Sequence, residues 1–373
     1  MTRTCLLLLM LVFFLVESWE LKGQSSDPVY TDKQEWALGL RAGTGLLLAH
    51  KEELKYLNTG MYHSLELNYE KRVDGSHRWH DIYNYPSYGF SAIFSYHGDR
   101  EKVGNSLSLS TFLSLPLVRA SGNHNINLRL AGGGVYVQNP FDPLENHRNL
   151  AISTHLNIFV QLMIEYGYRL NEDWDVSLGV QFNHFSNGSY LKPNTGINYA
   201  MVSAGLSRVF NRDQRASEIR DRYIPKTEWN VMVTGSLRSP HINSNSQFGV
   251  GSLNFHFNRR FSRKFFATVG TDLVYNAANR RDLEIRYSKR PSRSDNFQLG
   301  IFGGVGMRFG QSSIVLTKGY TAVSYSGPTA GIYHRFAFRR QFRPDFFYHI
   351  GIFSNYFKAN FLDVGLGYTI NVK

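Results

Sequence analysis

His184, Ser186 and Asn198 are the residues whose types and spacing could do chemistry. Side chains on an extended strand alternate between faces, so a histidine and a serine two positions apart point the same way. So placed, the imidazole can draw off the hydroxyl proton to make a nucleophile for an acyl carbon, while a third polar group fixes the ring. On the strand from Trp174, the residues Val176, Leu178, Val180 and Phe182 form an apolar face opposite Asp175, Ser177, Gly179 and Gln181, and His184 and Ser186 extend that apolar face. Asn198 heads the apolar row Ala200, Val202, Ala204, Leu206 of the next strand. Three hydrogen-bonding residues thus gather on faces otherwise suited to hydrocarbon, where polar groups are costly. The bland reading of a single histidine at a strand end is rim decoration; the combination is more specific.

The elements that must position them are strands. Period-two alternation starts near Trp36, Ser64, Tyr88, Leu107, Ile126, His155, Trp174, Asn198, Trp229, Phe248, Phe265, Phe297, Ile314, Ala330 and Leu362, and sixteen candidate strands of roughly 10 to 14 residues can be drawn. The last, with Leu362, Val364, Leu366, Tyr368, Ile370 and Val372 on one face, is the clearest. Strands that long, with aromatics at their ends, suit a membrane-spanning antiparallel β-barrel. The apolar run Cys5 to Val16 behind Arg3 is too short for a spanning helix and reads, with the small polar stretch after it, as a signal peptide ending by residue 23. Its removal takes the only cysteine, which leaves no disulfide, thiolate-bound zinc or cysteine nucleophile. Export also argues against nucleic acid as the partner of a chain with net charge +12; an anionic membrane surface fits better.

The charged segment 211–228 interrupts the alternation and divides the chain into a first barrel over 30–210 and a second, degenerate barrel-like half over 229–373. An echo joins the halves: Arg169 to Trp174, with Gly179 and Asn183-His184-Phe185, recurs as Gln341 to Phe346, with Gly351 and Asn355-Tyr356-Phe357. A second echo links Leu128 and Gly132-Gly133 with Leu299 and Gly303-Gly304. Two eight-stranded barrels result; the alternative is one wide barrel of 14 to 16 strands. In the second half Tyr356 and Lys358 replace His184 and Ser186, so the chemistry is expected in the first.

The run His184-x-Ser186-Asn187 followed by Lys192-Pro193-Asn194-x-Gly196-Ile197 resembles the signature of the lipid A 3-O-deacylases (PagL type) and of acyloxyacyl hydrolase-like outer-membrane proteins. The resemblance is strongest over 174–210. It implies an integral outer-membrane barrel acting on lipid A or lipopolysaccharide as an esterase, without a cofactor or metal, with His184 as general base and Ser186 as nucleophile. The Asn187 side chain and the backbone N–H near Ser189 would stabilise the oxyanion. Where the family has a glutamate to orient the histidine this chain has Asn198, which can accept a hydrogen bond but brings no charge; Glu165 on the preceding strand is the nearby acid to examine. In the second half Arg280, Arg281, Arg286, Lys289, Arg290 and Arg293 form a basic stretch, read as an external loop that contacts lipid A phosphates or is simply solvated. A barrel without catalysis, as pore, adhesin or structural protein, is the alternative function.

Overall fold

A computed structural model of the chain describes residues 34–212, 223–240, 246–287, 290, 292–324, 331–356 and 358–371. The signal-peptide segment and the centre of the charged segment lie outside them. The described residues form sixteen antiparallel strands closed into two barrels, β1 to β8 and β9 to β16. The alternative of one wide barrel is not adopted, because β1 pairs with β8 and β16 pairs with β9.

In the first barrel β1 is Trp36–Leu47, β2 Tyr62–Arg72, β3 Ser87–Tyr96, β4 Asn105–Ser121, β5 His124–Val137, β6 Leu156–Arg169, β7 Trp174–Ser186 and β8 Ile197–Phe210. All are long enough for the roughly 9 to 11 residues that a tilted strand needs to cross a bilayer. Alternation sorts their side chains. Leu38 and Leu40, Leu65 and Leu67, Leu162 and Ile164, and Leu178 and Val180 lie exposed on the outer wall. Arg41, Glu66, Asn68, Arg129 and Gln161 lie buried inside. The interior charges are matched: Arg129 pairs with Glu66, Arg41 pairs with Glu165, and the Arg129 guanidinium sits 3.6 Å above the Phe112 ring. Toward the end where β7 finishes, the lumen becomes apolar, filled by Tyr62, Phe159, Phe185, Ile197 and Tyr199 under Leu54 and Leu57. Trp36 stacks on Phe210 at the opposite end, ring centroids 3.9 Å apart, in the position of an interfacial aromatic belt.

The second barrel comprises β9 Thr227–Arg238, β10 Phe248–Arg260, β11 Phe265–Asn276, β12 Phe297–Phe309, β13 Ser312–Ser324, β14 Ile332–Arg343, β15 Phe346–Asn355 and β16 Lys358–Asn371. Its interior is again charged and paired, with Arg335 between Asp272, at 2.9 Å, and Asp363, at 3.0 Å. His349 lies 3.2 Å from Asp363, and Tyr333 donates to Asp272 at 2.8 Å. The stretch expected as an external loop between β11 and β12 contains a helix, Ala278–Tyr287. Grouped by contacts, the described residues up to Asn187 and from Gly196 to 212 make one compact unit, and Gly188–Thr195 with the rest of the described chain make the other.

Candidate active site

The site is built on the end of β7 and the start of β8. Cross-strand register sets His184 directly opposite Asn198, and the pleat turns both, with Ser186, to the face that carries Leu178, Val180 and Val202. The three side chains form a hydrogen-bonded row. The Ser186 hydroxyl reaches His184 Nε2 at 3.0 Å, and His184 Nδ1 lies 2.6 Å from Asn198 Oδ1. With the proton on Nδ1, donated to the amide oxygen, Nε2 presents its lone pair to the hydroxyl, as general-base chemistry requires. Ser186 is only 2 % exposed, while His184 and Asn198 are half-buried. A hydrogen bond sheltered in this way is electrostatically stronger than one in water.

Gly196 explains the fit beneath the imidazole. Its φ is +80°, and a Cβ there would lie 3.0 Å from His184 Cε1, so glycine meets both the backbone and the space requirement. Its N–H donates to the Ala151 carbonyl at 2.9 Å, which ties the entry to β8 to the chain before β6.

Asn187 follows the serine and is buried; its Nδ2 donates to Ser153 Oγ at 3.0 Å and to Thr154 Oγ1 at 3.3 Å. Gly188 and Ser189 both adopt positive φ, +65° and +67°. The Ser189 hydroxyl donates to the Ala359 carbonyl at 2.7 Å. Glu165 is not available to the histidine. It occupies an inward position of β6 opposite Gly179 and is paired with Arg41 inside the lumen, whereas His184 points out through the wall.

One member of the row was not among the expected site residues. Asn198 Nδ2 lies 3.1 Å from His50 Nδ1. His50 follows β1 and is brought here by barrel closure, because the Leu48 N–H donates to the Asn198 carbonyl at 2.8 Å and the His50 N–H to the Leu48 carbonyl at 2.9 Å.

In the second barrel β15 ends at Asn355 and β16 begins at Lys358, so the counterparts of His184 and Ser186 are an exposed turn residue, Tyr356, and Lys358. Of the basic stretch, Arg280 is half-buried in the helix, Arg281 pairs with Glu284 at 3.0 Å, and Arg290 and Arg293 are exposed. The Arg286 side chain and Lys289 lie outside the described residues.

A closed barrel with an apolar outer wall, a paired polar interior and strands of bilayer length defines the class: an integral outer-membrane β-barrel. Residues 63–207 match the family model of lipid A 3-O-deacylase (PagL), and residues 227–372 that of the acyloxyacyl hydrolase C-terminal domain. The chain belongs to the lipid A 3-O-deacylase family, with the C-terminal domain as its second barrel. A crystal structure of the outer membrane enzyme PagL is similar at 18 % identity over 45 % of this chain and 97 % of that one, with a TM-score of 0.34. A triple mutant of Rhodopseudomonas blastica porin is similar at 10 % identity over 90 % of this chain and 99 % of that one, with a TM-score of 0.18. Neither likeness carries the assignment, which rests on the family matches. No curated protein matches the chain.

Proposed function

We propose that the protein is an outer-membrane esterase that hydrolyses an ester-linked acyl chain of lipid A by a serine–histidine mechanism. The observation that carries this reading is the continuous hydrogen-bonded row Ser186–His184–Asn198 on the lipid-facing wall of the first barrel. An acyl chain lying along that wall brings its ester carbonyl to Ser186 without leaving the hydrocarbon. Ser186 Oγ attacks the carbonyl carbon while His184 Nε2 takes the hydroxyl proton. The developing oxyanion is met by N–H donors of the segment after the serine, with Asn187 and Ser189 as the candidates. Collapse of the tetrahedral intermediate expels the sugar alkoxide, which receives the proton from His184. A water activated by the same imidazole then releases the fatty acid.

A pore fits less well, since both lumens are crossed by buried ion pairs, Arg129–Glu66 in one and Arg335–Asp272 in the other. Mass spectrometry of lipid A from cells with wild-type protein, with Ser186→Ala and with none tests the function. Loss of one acyl-chain mass only with the wild type is expected. Lipid A that is identical in all three overturns the reading.

A further inference from the structure

We infer that His50 is a positioning residue which sets the polarity of the His184–Asn198 pair and couples deacylation to its own protonation; this rests on the serine–histidine reading above. A carboxylate offers an acceptor at either oxygen, so it orients an imidazole whichever way it is turned. An amide has one accepting and one donating end of nearly the same shape. With Oδ1 toward His184, Nδ1 carries the proton and Nε2 accepts from Ser186. Turned by half a revolution, the amide donates to Nδ1, the proton moves to Nε2, and the imidazole no longer serves as a base toward the serine.

Something must select the first arrangement, and His50 is placed to do so. Its Nδ1 faces Asn198 Nδ2 at 3.1 Å, and as a neutral ring protonated on Nε2 it accepts from the amide. Four side chains then form one directional chain, in which Asn198 donates to His50, His184 donates to Asn198, and Ser186 donates to His184. Protonation of His50 turns its Nδ1 into a donor. The donor repels the amide N–H that it faces, and a turn of the amide that brings Asn198 Oδ1 to it produces the inactive His184 tautomer. His184 is electrostatically coupled to His50, and Lys51, Glu52 and Glu53 are the charged residues next along the His50 segment.

The test uses full-length protein in detergent micelles with purified lipid A, kcat and KM measured across pH, and folding checked by heat-modifiable migration. His50→Ala is expected to lower kcat about 10-fold with little change in KM, as loss of an orienting hydrogen bond does. His50→Gln, which keeps an acceptor that does not titrate, is expected to restore most of kcat. It should also reduce the slope of log kcat against pH on the acid side from about 2 to about 1, because only His184 then needs to lose a proton. In the Asn198→Glu background, where either oxygen can accept, His50→Ala is expected to have no effect. An equal loss in both backgrounds, or a slope unchanged in His50→Gln, overturns the inference and leaves the deacylase reading standing. A wild-type enzyme no faster than Ser186→Ala would sink the deacylase reading itself.

Discussion

At the scale of single residues, the site depends on side chains that a lipid-facing wall would ordinarily exclude. Ser186→Ala and His184→Ala should each lower release of fatty acid from lipid A by about 10³-fold or more, because nucleophile and base act as one unit. Folding should be unchanged, since neither side chain fills the lumen; undiminished release from either variant would remove that assignment. Asn198 is the more discriminating position. Asn198→Glu should retain or raise activity, and Asn198→Leu should lower kcat by about 10-fold to 100-fold by leaving the ring unanchored; a leucine variant with the wild-type initial rate would refute an orienting role. Gly196→Ala should strain the backbone by about 1–3 kcal/mol and push a methyl against His184 Cε1, so a fall in kcat at unchanged membrane insertion is expected. The outward placement of His184, Ser186 and Asn198 was legible from parity, since each continues the outward set of its strand, whereas the roles expected of them came from the resemblance. His50 was not, because its nearness to Asn198 comes from closure of β1 on β8, between residues 148 apart in sequence.

At the scale of elements, alternation does two tasks at once: it turns the apolar side chains of each strand to lipid and confines the charged ones to a lumen where they must pair. Glu165 shows how far parity can be read. Leu162, Ile164 and Tyr166 face outward on β6, which places Glu165 inside, where it meets Arg41. The same logic fixes the second barrel around Arg335, whose ion pairs with Asp272 and Asp363 are fully buried. Arg335→Met takes the guanidinium from between two buried carboxylates, which keep only His349, Tyr333 and Asn254 as partners, and should destabilise that barrel by about 3–5 kcal/mol. Arg281→Met, which breaks the exposed pair with Glu284, should cost no more than about 1 kcal/mol. Equilibrium unfolding in urea with the protein in lipid vesicles measures both, and equal effects would show that the lumen pairing is not what holds the strands. The helix Ala278–Tyr287 was missed because its residues carry no apolar periodicity that separates a short polar helix from a loop.

For the whole molecule, sixteen strands were countable in the sequence, but their closure was not. Choosing β8 or β16 as the partner of β1 is a choice between two antiparallel strands of similar composition, and the charged interruption after Phe210 was the main sequence signal for the first. Topology also sorts the internal echoes. β7 and β15, which begin at Trp174 and Phe346, are each the seventh strand of their barrels. The echo between Leu128 and Leu299 joins the fifth strand of one barrel to the fourth of the other, so it reflects common strand composition and not equivalent position. Because β1 finds every partner it needs in β2 and β8, a chain of residues 30–212 should fold unaided into lipid vesicles. The expected result is a protease-resistant, heat-modifiable species with the far-ultraviolet signature of β-sheet. An equal chain that also lacks β8 has an open edge and should fail to form that species. If the eight-stranded chain fails as the seven-stranded one does, closure of the first barrel is not sufficient for its folding, and strands beyond Arg212 take part in it.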